Sequence, residues 1–100
     1  MMHRSVSYHE KLIQDLKDPL EAAAYIEVSL EENEPKILSK ALKNVIEAQG
    51  GIEHLSLRAK QAYKKLDTNL KEDGQVEYYA LNTLLKELGL CLSVAALTTI

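Results

Sequence analysis

The chain has no phenylalanine, no tryptophan and a single cysteine in 100 residues. Without the two large apolar aromatics, a core must be built from Leu, Ile, Val, Ala and Tyr, which suits closely packed helices. The lone Cys91 excludes a disulfide within the chain, and a reducing compartment is the simpler setting. Between Leu90 and Leu92, it reads as a small core or strand residue rather than a nucleophile. No apolar stretch is long enough to span a bilayer, and no charged start followed by an apolar run marks a signal peptide. The expected location is therefore the cytoplasm. Also missing are a Gly-rich phosphate loop, a serine or cysteine triad pattern and an apposed carboxylate pair, so no enzyme and no cofactor is expected. The histidines, His3, His9 and His54, stand apart without the ligand spacing of a metal site.

Hydrophobic residues make up 46% of the chain, enough for one modest core in a single domain. The formal net charge is −3, which argues against blanket attraction to nucleic acid or anionic membrane. The charges are unevenly placed. From His54 to Lys71 the chain carries Arg58, Lys60, Lys64, Lys65 and Lys71 against Asp67 alone. Such a segment is either a solvated helix face or a phosphate-contacting surface. Glu31-Glu32-Asn33-Glu34, in contrast, reads as a solvated helix end or as part of an acidic surface for a basic partner.

The two prolines and four glycines punctuate the chain. Residues 1–7 read as a tail, and Leu12, Ile13 and Leu16 as a short first helix. Asp18-Pro19 starts a second helix, with Asp18 as cap, Pro19 in the first position and Glu21 completing a capping-box-like pattern. Asn33-Glu34-Pro35 repeats that logic for a third helix, which Gly50-Gly51 ends. A fourth helix is expected over 52–59, with Ile52, Leu55 and Ala59 inward. A fifth follows over 62–71, with Leu66 and Leu70 inward. Asp73-Gly74 marks a turn, and 78–88 a last helix closed by Gly89. Tyr78-Tyr79 is expected to divide between core and surface. Residues 90–95 alternate Leu90, Leu92 and Val94 with Cys91 and Ser93, a period-two pattern of a short strand. Such a strand has no partner within this chain, so a second protomer is the expected one. The fold expected is all-α, five to six short helices in one domain, with 8–49 as its N-terminal helices.

The run LKDPLEAAAYIEVSLEENEPKILSKALKNVIEAQGG, followed by HL, a second helical pair, DG and LNTLLKELGLCLSV, resembles the HigA-like antitoxins. These are addiction-module antidotes with a phage-repressor-type helix-turn-helix. The resemblance covers roughly residues 8 to 94. It implies an antitoxin of a type II toxin-antitoxin module, a homodimer that binds a RelE-like toxin and represses its own operon at operator DNA. It also places a helix-turn-helix over 52–71. It implies no toxin-binding residues, since the family has no universal contact motif. The turn departs from the family's pattern, because Lys60, Gln61 and Ala62 stand where a glycine, an apolar residue and a small polar residue are usual. Lysine in a left-handed conformation costs on the order of 1 kcal/mol relative to glycine.

If the fifth helix enters a major groove, its leading and outward residues, Tyr63, Lys64, Asp67 and Thr68, face base edges. Lys60, Lys65 and Lys71 are then placed for phosphates, which orient without specifying. The competing reading is a helical protein-interaction module whose degenerate helix-turn-helix no longer binds specific DNA.

Overall fold

The computed structural model describes residues 7–98 and contains five α-helices. They are α1 (Tyr8–Asp15), α2 (Pro19–Glu31), α3 (Pro35–Ala48), α4 (Leu57–Glu72) and α5 (Tyr78–Glu87), with one 3₁₀ turn over Ile52–His54 between α3 and α4. Among the described residues there is no strand. The all-α expectation is met. Most of the expected 1–7 tail, with His3, lies outside the described residues. Ser7 is described and is not loose: its hydroxyl accepts from the Glu10 amide while Glu10 accepts from the Ser7 amide, a complete capping box on α1.

The proline junctions behave as their chemistry requires. Asp18 accepts from the Leu20 amide at 2.9 Å, and Glu34 accepts from the Lys36 amide at 3.4 Å. The Asp18 amide donates to the Asp15 carbonyl at 3.1 Å, which leaves no orphan donor for Glu21 and explains why the box stays half-formed. Asn33 closes α2 in the left-handed region, at φ 58°. After α3, the Gly51 amide reaches back to the Ile46 carbonyl at 3.0 Å, with Gly50 at φ 111°. A Cβ on Gly50 would sit 2.6 Å from the exposed His54 ring, which can swing aside, so it is the positive φ that calls for glycine at this turn.

The core gathers Leu42 and Val45 of α3, Leu66 of α4, and Leu84 and Leu85 of α5, all fully buried. α1, α2 and α4 each pack on α3, while α5 packs on α4. Ala22, Ala41, Ala59 and Ala62 are buried at the helix contacts, where small side chains let backbones approach. The buried Asn44 amide donates to the Tyr25 hydroxyl at 3.0 Å, tying α3 to α2. The Gln49 amide donates to the Leu88 carbonyl at 2.7 Å, tying the end of α3 to that of α5.

Three expectations fail, each for a local reason. The separate helices over 52–59 and 62–71 are instead one continuous α4, so no turn exists at Lys60, Gln61 and Ala62. Ser56 starts this helix, accepting from the Ala59 amide at 3.1 Å, and the Glu87 carboxylate accepts from the Ser56 amide at 3.0 Å. Ala59, Lys60, Gln61 and Ala62 are all strong helix formers, and nothing among them stops a helix once it is nucleated at Ser56. Ile52, left in the 3₁₀ turn, is exposed.

Residues 90–95 form no strand, and Cys91 is exposed rather than in the core. Their alternation is satisfied without a sheet: Leu90 and Leu92 are half-buried and share a cleft of about 220 Å³ with Ala23, Ile26 and Leu30 of α2. Finally, Tyr78 and Tyr79 do not divide between core and surface. Both are exposed, in an edge-on pair 5.1 Å apart, because Ala80 and Leu81 take the inward positions of α5.

The continuity of α4 has a measurable sign. In a left-handed turn, Lys60→Gly relieves strain and stabilises the protein. In an unbroken helix it is expected to destabilise by about 0.5–1 kcal/mol. A denaturant midpoint that rises in this variant contradicts the continuous helix.

Candidate nucleic-acid interface

Helical spacing divides the polar surface of α4 into distinct flanks. Ala59, Ala62, Leu66 and Leu70 are buried. The flank turned towards α3 carries Tyr63 and Asp67. Tyr63 is half-buried and lines a hollow with Lys43 and Ile46 of α3 and with Gly51 and Ile52. Asp67 is also half-buried. It accepts from the Ser39 hydroxyl of α3 at 3.3 Å, and Lys71 Nζ lies 2.9 Å from its carboxylate. These two side chains, expected to face bases, serve instead in the contact between α3 and α4. The reason is the continuous helix, in which position 63 lies four after the buried 59 and three before the buried 66, and position 67 three before the buried 70, so both fall beside the core face.

The other expected residues scatter around the helix. Lys64 and Thr68 are exposed and point outward. Lys60, half-buried, lies on the same flank as Lys64 and Lys71, at the spacing i, i+4, i+11. Lys65 faces the opposite flank, its Nζ 3.9 Å from Glu77 just before α5. The structure thus groups Lys60, Lys64 and Lys71, adds Thr68 on the outward face, and sets Lys65 apart. Of them only Lys60 lies in the first turn of α4, after Leu57, Arg58 and Ala59.

Three lysines on the neighbouring helix were not foreseen as part of this surface. Lys36, Lys40 and Lys43 are exposed on α3 and border a groove of about 830 Å³ that Lys71 also lines. Their i, i+4, i+7 spacing is legible within α3, but only the packing of α3 against α4 brings Lys71 to the same groove. Asp67 holds the Lys71 ammonium above the ordinary lysine range, through their hydrogen bond and through its charge. Burial raises the Tyr63 hydroxyl above its ordinary 10.0, Asp67 adds to the rise and Lys71 opposes it. Among the described residues no group of His, Cys, Asp and Glu is arranged to hold a metal, and no helix is long and apolar enough to cross a membrane. No family model, curated protein or solved structure matches the chain.

The raised Tyr63 sets an alkaline limit. In the folded chain the hydroxyl stays neutral above the pH at which it ionises when unfolded. Its contribution to stability is therefore full below about pH 10 and is lost as pH rises through the folded pKa. Thermal melts of the wild type are expected to fall more steeply above pH 10 than those of Tyr63→Phe. Equal slopes for the two would show that Tyr63 is not shielded.

Proposed function

We propose that this chain is the antitoxin of a type II toxin-antitoxin module, a cytoplasmic, non-enzymatic protein that binds a RelE-like toxin and contacts operator DNA as an autoregulating repressor. The observation that carries this reading, beside the order and spacing of its motifs, is the separation of charge along the fold. Residues 8–34, covering α1 and α2, hold eight Asp/Glu against two Lys. Residues 35–72, covering α3 and α4, hold eight Lys/Arg against four Asp/Glu. An acidic half suits a toxin that cuts RNA and is therefore basic, and a basic half suits DNA phosphates. One small chain thus offers separate surfaces for two partners of opposite charge.

The second reading is a protein-interaction module that no longer binds specific DNA. It is favoured by the unbroken α4 and by the engagement of Tyr63 and Asp67 with α3, which leave Lys64 and Thr68 as the outward candidates for base contact. A promoter mobility-shift assay with a salt series, with and without the toxin, separates the two. The repressor reading expects preference for the chain's own promoter and steep salt dependence. Absence of any such preference under both conditions sinks the repressor half alone.

The toxin half has its own test. Glu31→Lys with Glu32→Lys, both exposed at the end of α2, is expected to weaken neutralisation of the co-expressed toxin while leaving the melting curve nearly unchanged. Full neutralisation by that variant shows that the acidic end of α2 does not hold the toxin.

Dimerisation is assigned to residues 90–95. Among the described residues no backbone-to-backbone hydrogen bond involves residues 91–98, and Val94 and Leu97 are 100% and 95% exposed. That leaves free backbone and apolar side chains to meet the same segment of a second copy. Deletion after Gly89 is expected to convert a dimer to a monomer on gel filtration. An unchanged elution volume places the interface elsewhere.

A further inference from the structure

Two four-residue stripes of the same spacing run along neighbouring helices. On α3 the stripe is Lys36, Lys40, Lys43 and Glu47; on α4 it is Lys60, Lys64, Asp67 and Lys71. Each follows i, i+4, i+7, i+11, so each lies along one side of its helix. Both acids are already engaged. Glu47 lies 3.2 Å from His9 of α1, and Asp67 takes Ser39 and Lys71. Among the described residues, Lys36, Lys40, Lys43, Lys60 and Lys64 make no ion pair. The groove beside the α3 stripe is lined by Lys36, Lys40, Lys43 and, from α4, Lys71, with Pro35 and Leu70 as its apolar residues and Glu34 and Glu47 as its acids.

We infer that this groove is a phosphate-backbone site, in which α3 holds one strand of a nucleic-acid duplex independently of any base reading by α4. The inference rests on the nucleic-acid half of the proposed function and assigns it a surface. Lys36 to Lys43 spans about 10 Å of helix axis at 1.5 Å per residue. Along a duplex, one strand presents a phosphate about every 3.4 Å of axis, so the three α3 lysines cover about three phosphates. Lysines act as point charges on flexible stems and need no fixed ligand orientation, which is the chemistry of a backbone contact. An acidic amphipathic helix is the other candidate occupant. It would require a row of apolar anchors, and the groove offers only Pro35 and Leu70. A sugar-phosphate strand requires only the cations and a surface against which sugars can lie.

The test measures duplex binding by the full chain as a function of salt, using random-sequence duplex and promoter duplex. Replacing Lys36, Lys40 and Lys43 together by glutamine is expected to weaken both duplexes alike, by roughly tenfold or more at moderate salt. It should also flatten the slope of log K against log salt by about 2 to 3, from about 0.9 per lost contact. Lys40→Gln alone should flatten it by about 0.9, which keeps the test readable if the triple variant melts early. Lys17→Gln with Lys86→Gln, exposed lysines outside the two stripes, should change neither quantity.

An unchanged slope in the triple and single variants overturns the site, as does a wild type that binds no duplex even at low salt. So does poly-glutamate binding that needs the three α3 lysines when duplex binding does not. Retained promoter preference with an unchanged slope removes the groove and leaves the operator reading. A wild type that binds both duplexes without promoter preference, and whose slope flattens as expected in the variants, does the reverse.

Discussion

The burial of α3 is the constraint on which the rest of the structure depends. α1, α2 and α4 all pack against this one helix, and its Leu42 and Val45 have no exposed surface. A helix covered on several sides has little perimeter left for water, and here that perimeter includes Lys36, Lys40, Lys43 and Glu47. Their spacing follows from the positions of Leu38, Ala41, Leu42, Val45 and Ile46, since one helix cannot bury one set without exposing the other. Charge on this surface is thus a by-product of where the core is. The alanines at the contacts let the neighbouring helices come close, and without Phe or Trp the core has to be filled by that close approach.

The same logic governs α4. Its start is held from outside the helix, by the Glu87 carboxylate at the end of α5 accepting from the Ser56 amide while the Ser56 hydroxyl caps the first turn. A helix begun there has its rotational phase set before it reaches residue 60, and the phase carries Tyr63 and Asp67 against α3. Had the chain turned at Lys60, a second helix would have taken its own phase, and the same two side chains could have faced outward. A shift in where one helix begins thus converts expected reading residues into packing residues. Lys64, Thr68 and Lys71 are exposed on the continuous helix and stay available for contact with a partner.

The proposed function draws on surface electrostatics rather than on an enclosed pocket. The acidic residues concentrate on α1 and α2 and the cations on α3 and α4, even though the whole chain has a net charge of only −3. Total charge understates what either surface presents to a partner, because fields at contact range follow local clusters and are screened over about 10 Å. A toxin and a nucleic acid make opposite electrostatic demands, and a chain with one sign at each surface can meet both.

Residue order alone settled the helical class, the Asp18-Pro19 and Glu34-Pro35 helix starts, the glycine stops and most of the core, because these depend on local chemistry and on one helix's own periodicity. It also exposed the basic run from Arg58 to Lys71. It did not reveal the single helix through Lys60, Gln61 and Ala62, since a family-like spacing and a run of helix formers point in opposite directions there. Ser7 as a cap was hidden in what looked like a tail, and the alternation of Leu90 to Val94 looked like a strand although a cleft beside α2 takes Leu90 and Leu92. Only the tertiary structure decided which lysines share a surface. Lys36 and Lys71 are distant in sequence, and no periodicity within either helix encodes the rotation of one against the other. That rotation is decided by how the buried faces fit together, and the polar faces take the positions that remain.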